Sequence, residues 1–323
     1  MNTLLQGNIT FQLVPRSGCQ EEEKVVIMVS SGPLNKENRD RWRESVEGRD
    51  GVKIVFLIAM AKTVEDQKML EEEHDENGDI VQSSLEDGHR KLGYKILSGY
   101  VWSYLHCAGA RMVAKTDDNV ELDMDKLEAM VRARMKNGVD ENFMACGSGT
   151  QHRNMKPLRS DRTHMTGNWS ISKEQLDLDI HPDFCSGFLY LTTPLVGAAL
   201  VQAGHQLYRD KEVEQIEDSL ITGVLREALP DVRLQTLQNG VLPHLWNKVF
   251  SHCPWLSLAK LSFSNDLVIT KRSSRSNVQY VGSLTSPGVW RFFICLHLEF
   301  VLEHLEYFAS GLVPPFIFDI CKR

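Results

Sequence analysis

The sequence predicts an α/β fold, a mixed or parallel sheet flanked by helices, and three features carry that expectation. Two unbroken apolar runs rich in β-branched residues, "KVVIMVSS" (24–31) and "VKIVFLIAMA" (52–61), fit strands buried on both faces. Segments with apolar residues at helical spacing alternate with such runs, which is the pattern of βαβ units. A third short strand, "ARMVAKT" (110–116), leads into two adjacent carboxylates, Asp117 and Asp118. In sheets of this kind ligands gather at the carboxyl ends of the strands.

Taken in order, the first strand is followed by "GPLNKENRDRWRESV" (32–46), which opens on Gly-Pro and turns helical and charged. After the second strand, "LEEEHDENGDIVQSSL" (70–85) is polar, with a Gly78-Asp79 turn before a short strand. Leu92, Ile96, Leu97, Val101 and Leu105 recur at helical spacing within "DGHRKLGYKILSGYVWSYLHC" (87–107). "MDKLEAMVRARM" (124–135) is another helix, and "DFCSGFLYLTT" (183–193) another strand with small residues ahead of it. The apolar tail "WRFFICLHLEFVLEHLEYF" (290–308) is broken by His297, Glu299, Glu303, His304 and Glu306, so it reads as a buried amphipathic helix and not a membrane span.

Bulk properties exclude some functions. A net charge of −7 leaves no basic stripe to neutralise phosphates, which argues against nucleic acid as a partner. The basic cluster "KRSSRS" (271–276) is short and reads as solvated loop. Seven scattered cysteines with no CxxC pair exclude a zinc site of ordinary spacing. They suit either buried thiols or long-range disulfides of a secretory compartment, as do the weak glycosylation triplets at Asn8 and Asn168. No positive stretch followed by an apolar core marks a signal peptide at the N-terminus.

The acidic stretch "KTDDNVELDMDKLEAM" admits three readings. Asp118 or Asn119 would cap the helix that follows. A calcium loop counted from Asp117 has oxygen residues at Asn119, Glu121, Asp125 and Glu128, but Leu122 stands where the turn needs glycine. A strand-end metal site against a diphosphate is the third, with carboxylate and amide oxygens suited to Mn²⁺ or Mg²⁺. Period-two geometry would put residues 117 and 119 on one side and 118 on the other.

Context favours the third reading. The segments "VVIMVSSGPLNKENRDRWRESV" with Arg39 and Arg43, "ENGDIVQSSLEDGHRKLGYK" with Asp87, Leu92 and Lys95, and Trp102 with Cys107 occur in order before Lys115 and the acidic triplet. "HPDFCSGFLYLTT" with Pro182, Ser186 and Gly187, and "EDSLITGVL" with Glu217, Asp218 and Gly223, follow it. Together, from about residue 24 to 225, they resemble the β-1,3-galactosyltransferase family, inverting hexosyltransferases of glycosyltransferase family 31. Departures are Val46, His89, His181, Ser219 and Asn119, each in place of a residue more usual there.

The resemblance implies a GT-A-like, Rossmann-type mixed sheet and a UDP-sugar donor, with Mn²⁺ or Mg²⁺ as cofactor. It implies transfer, with inversion, of a hexose such as galactose to a glycan acceptor on a glycoprotein or glycolipid through a β-1,3 linkage. By position, Asp218 becomes the general base. Arg39, Arg43, Asp87, Lys95, Lys115, Asp117, Asp118, Gly187 and Glu217 become nucleotide-sugar contacts, and Asp117, Asn119 and His252 the metal set. Plainer readings stand beside these. Glu217 and Asp218 suit the start of a helix, Arg39 and Arg43 an exposed helix face, Trp102 and Cys107 core packing or a disulfide, and His244 or His252 structural roles. The loss of charge at Asn119 also admits an inactive relative that serves as a glycan- or protein-binding module.

The expected organisation is a short extension over 1–23, a catalytic domain over 24–230, and a segment over 231–323 packed on the same domain. The resemblance places such a protein in the Golgi lumen behind an N-terminal membrane anchor, and no anchor is visible in this chain.

Overall fold

A computed structural model describes residues 10–237, apart from 108, 139, 148–149, 160–169, 174–175 and 209–215, together with the strands Val268–Ser273 and Ser276–Val281. The chain divides into two units, Met1–Leu245 and Trp246–Arg323. In the second, Val268–Ser273 pairs antiparallel with Ser276–Val281. The "KRSSRS" cluster therefore belongs largely to a hairpin and not to a loop: strand-forming neighbours on each side override its polarity. The apolar tail, His244, His252, Asn8 and Asn168 lie outside the described residues.

The first unit is built on an eight-stranded sheet. Its strands are β1 (Phe11–Leu13), β2 (Val25–Ser30), β3 (Val52–Met60), β4 (Ile80–Glu86), β5 (Met112–Asp117), β6 (Met144–Cys146), β9 (Leu189–Thr192) and β10 (Leu234–Thr236). A separate short pair is formed by β7 (Gln151–His152) and β8 (Phe184–Cys185). The helices are α1 (Lys36–Val46), α2 (Val64–Asn77), α3 (Leu92–His106), α4 (Met124–Asn137) and α5 (Pro194–Tyr208). Spatial order in the large sheet is β1-β4-β3-β2-β5-β9-β6-β10. The four central strands are parallel, whereas β1 and β9 run against their neighbours. The mixed α/β sheet expected from the apolar runs is what forms.

Period-two alternation sorts the central strands onto two cores. Val26 and Met28 of β2, Val55 and Leu57 of β3 and Val113 of β5 face one cluster with α3 and α5. Val25, Ile27 and Val29, with Ile54, Phe56 and Ile58, face the other, which includes Trp42 of α1 and Leu127 of α4. Both faces are covered, so these strands carry no polar alternation.

Two departures from the sequence reading have simple causes. The polar stretch after β3 is a helix, α2, closed by Thr63, whose hydroxyl accepts the Asp66 N–H, and by Gly78 in the left-handed conformation. The N-terminal stretch is no mere extension. β1 pairs antiparallel with β4, and Cys19 is disulfide-bonded to Cys107 at the end of α3. A second disulfide joins Cys146 of β6 to Cys185 of β8. β10, beyond residue 230, also belongs to the large sheet through parallel pairing with β6.

The chain steps outward from β2 to β3 to β4 and then returns through α3, which sets β5 on the other side of β2. The order therefore reverses between β2 and β5, where Ser30 is in register with Asp117. A crevice outside the carboxyl ends of strands at such a reversal is the usual ligand position of an open α/β sheet.

Candidate functional site

Because side chains alternate along β5, Lys115 and Asp117 project from the same face, toward the cluster that contains Tyr190. Lys115 is 0% exposed. A buried ammonium needs all three donors satisfied, and here each has a partner at 2.9 Å: Asp117 Oδ1, Glu217 Oε2 and the Gly187 carbonyl. Burial alone would lower the Lys115 pKa, but Asp117 and Glu217 outweigh it and hold the lysine charged. Tyr190, in register with Lys115 on β9, donates its hydroxyl to the other Glu217 oxygen at 2.5 Å.

Gly187 closes the cluster. A Cβ there would come within 3.0 Å of Lys115 Nζ and 3.3 Å of Glu217 Oε2, so glycine is the residue that lets backbone approach the charges. Its N–H donates to Asp218 Oδ2 at 3.2 Å. Glu217 and Asp218 begin a helical segment that widens to a π-helix over Ser219–Leu225, a geometry often found at functional sites. Thr222 ties that segment to β8, donating to the Asp218 carbonyl and accepting the Cys185 N–H. Burial raises the pKa of both acids, against the pull of Lys115.

Beyond Asp117 the strand ends, and Asp118 and Asn119 lie in a turn closed by the Val120 N–H to the Asp117 carbonyl. The strand alternation expected to carry through residue 119 therefore stops two residues earlier. Asp118 Oδ2 accepts Ser31 Oγ and Asn35 Nδ2, each at 2.8 Å, and so joins the β5 turn to the β2 loop. Neither Asp118 nor Asn119 caps α4. Asp123 does, accepting the Lys126 N–H.

Lys95 reaches the same crevice from α3 and donates to the Ser31 carbonyl at 3.1 Å. Burial lowers its pKa, while Asp87, Asp117 and Asp118 oppose the shift. Asp87 is exposed. Burial, with Arg90, lowers the pKa of His89, and Glu217 and Asp117 oppose the shift.

Arg39 and Arg43 stand apart from this group. Arg39 is 0% exposed and uses every N–H: two on Glu73, at 2.8 and 2.6 Å, and the rest on Ser31 Oγ and the Gly32 and Pro33 carbonyls. No donor is left for a nucleotide, so Arg39 shapes the β2 loop from behind and not by touching a ligand. Arg43 pairs with Glu73, Asp79 and Asp40 and lies over the Phe56 ring. Neither is a plain surface charge.

Two side-chain oxygens are left over for a cation. Asn119 Oδ1 is buried without a hydrogen-bond partner, and Asp117 Oδ2 has none among the described residues. Among the described residues no three His, Cys, Asp or Glu side chains converge on one point. A small donor set of this kind suits Mg²⁺ or Mn²⁺, which keep waters and take substrate phosphates as further ligands. His252, the third member of the expected metal set, lies outside the described residues. Sequence reasoning missed Ser31, Asn35 and Tyr190. Asn35 had a signal in its place after a strand-end Gly-Pro, but the other two had none.

Fold and site together define an α/β enzyme whose acidic centre lies at a sheet's switch point. Residues 35–237 match the Galactosyltransferase family model, and the chain belongs to that family. It is 25% identical over 238 residues to "Beta-1,3-galactosyltransferase 5" of Homo sapiens, with 71% of each chain covered. It is 22% identical over 214 residues to "Lactosylceramide 1,3-N-acetyl-beta-D-glucosaminyltransferase" of Xenopus tropicalis, covering 62% of this chain and 54% of that protein. Among solved structures it is similar to a mannosyltransferase from Pyrobaculum calidifontis in complex with GDP-Man and Mn²⁺. The identity there is 14%, the TM-score 0.37, and the coverage 96% of this chain and 71% of that one.

Proposed function

We propose that this chain transfers galactose from UDP-galactose to a hydroxyl of a glycan acceptor on a glycoprotein or glycolipid, with inversion and a β-1,3 linkage. The observation that carries the reading is the Lys115–Asp117–Glu217 cluster at the carboxyl end of β5, with Asp218 held at its edge by the Gly187 N–H. Asp218 accepts the acceptor hydroxyl's proton while that oxygen attacks the anomeric carbon, and the bond to the diphosphate breaks on the opposite face. The raised pKa of Asp218 strengthens it as a base. Lys115 and Tyr190 fix Glu217, and Ser31 and Asn35 fix Asp118, so the crevice walls are set before substrate arrives. Mn²⁺ or Mg²⁺ bound at Asp117 and Asn119 would offset charge on the diphosphate.

Lys95 and Asp87 line the donor side in this reading, and His252 remains a proposed metal ligand. The two disulfides support an oxidising lumen, and we place the enzyme's work in the Golgi. Among the described residues no helix is long and apolar enough to cross a membrane. The neutral amide at Asn119 favours a second reading, a family member that binds glycans without turnover.

A donor screen with UDP-galactose, UDP-N-acetylglucosamine and UDP-N-acetylgalactosamine, run with Mn²⁺, separates the two. Galactose transfer giving a β-1,3 product by NMR supports the enzyme. No turnover with any donor, and no change in any property on Asp218→Asn, abandons it.

A further inference from the structure

A groove of about 780 Å³ is lined by residues just before β8 and just after the π-helix, the elements that flank the reactive cluster. Asp183 lies four residues before Gly187, no more than about 14 Å along the chain. Arg226 follows directly on the π-helix that Asp218 begins. Three guanidinium groups line the groove, those of Arg153, Arg226 and Arg233, in a chain whose net charge is −7.

Their acids only partly answer them. Arg153 Nε lies 3.8 Å from Asp183, and its Nη2 donates to Gln151. Arg226 donates through Nε to the Thr222 carbonyl at 3.2 Å, and through Nη2, at 3.4 Å, to the Asp183 carbonyl and Glu227. Its Nη1 has no partner among the described residues, and neither has any donor of the exposed Arg233. The wall is also suited to sugar. Gln151 and the Asp183 carboxylate offer hydrogen bonds to hydroxyls, Pro230 an apolar surface for a ring face, and His181, 6% exposed, a buried Nδ1 without a partner.

We infer that this groove binds an acidic saccharide, a sugar bearing a carboxylate or sulfate ester, with the anion held by Arg226 and Arg233. The free guanidinium of Arg233 can pair with a planar carboxylate or with two oxygens of a tetrahedral sulfate ester, and Arg226 adds the N–H donors of its unpartnered Nη1. Charge explains why the groove would prefer such a glycan to a neutral one, and its open, polar lining why it would take a saccharide and not an apolar chain. The inference rests on the transferase reading only in making this saccharide an arm of the acceptor. Binding itself requires no donor and no turnover.

The test therefore measures binding without donor. The full chain, with disulfides intact, is titrated with 3′-sialyllactose, with 3′-sulfolactose and with lactose. At low salt at least one acidic probe binds about tenfold or more tighter than lactose, and rising salt removes the preference. Comparison of the two acidic probes separates carboxylate from sulfate. Arg233→Glu abolishes the preference while thermal unfolding and lactose binding stay as they were, Arg226→Gln abolishes it with lactose binding retained, and Arg132→Glu on the exposed side of α4 leaves it intact. Equal binding of all three probes, no binding of either acidic probe at millimolar concentration, or a preference unchanged in both groove variants overturns the inference. Loss of transfer activity alone bears on the proposed reaction and leaves this result standing.

Discussion

Asn119 carries an amide where its two predecessors carry carboxylates, so the turn closing β5 holds one negative charge fewer than three acids would give. Its buried oxygen still has a free lone pair to offer. Asn119→Asp is therefore expected to lower the Mn²⁺ concentration needed for UDP binding, as calorimetry at graded Mn²⁺ would read; no change would remove residue 119 from the metal site. Asp218 gives a second expectation. An acid whose pKa is raised in the folded chain ionises later as pH climbs, so the acidic limb of kcat/KM belongs above the ordinary aspartate value of 3.8. Asp218→Asn should cut transfer by about a hundredfold to ten-thousandfold with the fold retained, and a variant of near-normal rate would assign the base elsewhere. These acids were legible because they sit in ordered motifs. Tyr190 was not: an aromatic in an apolar strand looks like core, and only its register opposite Lys115 shows that its hydroxyl has work to do.

At the scale of elements, legibility followed burial. β2 and β3 are covered on both faces and read directly as apolar runs, whereas α2 buries only Leu70, Glu73 and His74 and shows almost no apolar stripe. α5 fails for the opposite reason: much of its "PLVGAALVQAGHQLY" is apolar, so no period stands out. Arg39 was visible as a motif residue, but its partner Glu73 lies 34 positions away on a helix the sequence did not announce. That ion pair links α1, α2 and the β2 loop. Arg39→Ala leaves Glu73 buried beside Arg43 alone, with an expected cost of about 3–5 kcal/mol in chemical denaturation. Replacing both residues with apolar ones of similar volume should recover much of it. Burial alone would raise the Glu73 pKa, but its bonds to Arg39 and Arg43 outweigh that and hold it below 4.5. A depressed acid contributes stability above its unfolded pKa and loses it as pH falls through the folded value. The difference between wild type and Arg39→Ala should thus persist at neutral pH and shrink below about pH 4.5. A difference independent of acid would mean that packing, and not charge, supplies it.

For the molecule as a whole, two covalent rings frame the site. Cys19–Cys107 closes a separation of 88 residues and Cys146–Cys185 one of 39. On loop-closure entropy these are worth about 5 and about 4 kcal/mol. Cys146→Ala with Cys185→Ala should lower stability by roughly the smaller amount. It should lower transfer more than the loss of the first ring does, because Cys185 is two residues from Gly187. Equal activity losses from the two pairs would show that the second disulfide does not position the site. The sequence disclosed seven cysteines but not their pairing, since pairing is a property of the folded sheet.

The spacing of the site along the chain has a consequence during synthesis. Ser31 and Asn35, Lys115 to Asn119, Gly187, and Glu217 with Asp218 are drawn from four distant stretches, and the last is made only after two-thirds of the polypeptide exists. Under oxidising conditions a nascent chain can close Cys19–Cys107 while Lys115 still has no Glu217 to meet. For that interval the Lys115 ammonium has Asp117 but lacks Glu217, so drying its end of β5 costs more until the segment from Glu217 arrives to cover it. Pausing translation just before residue 217 would hold the protein oxidised at its first ring and open at its centre.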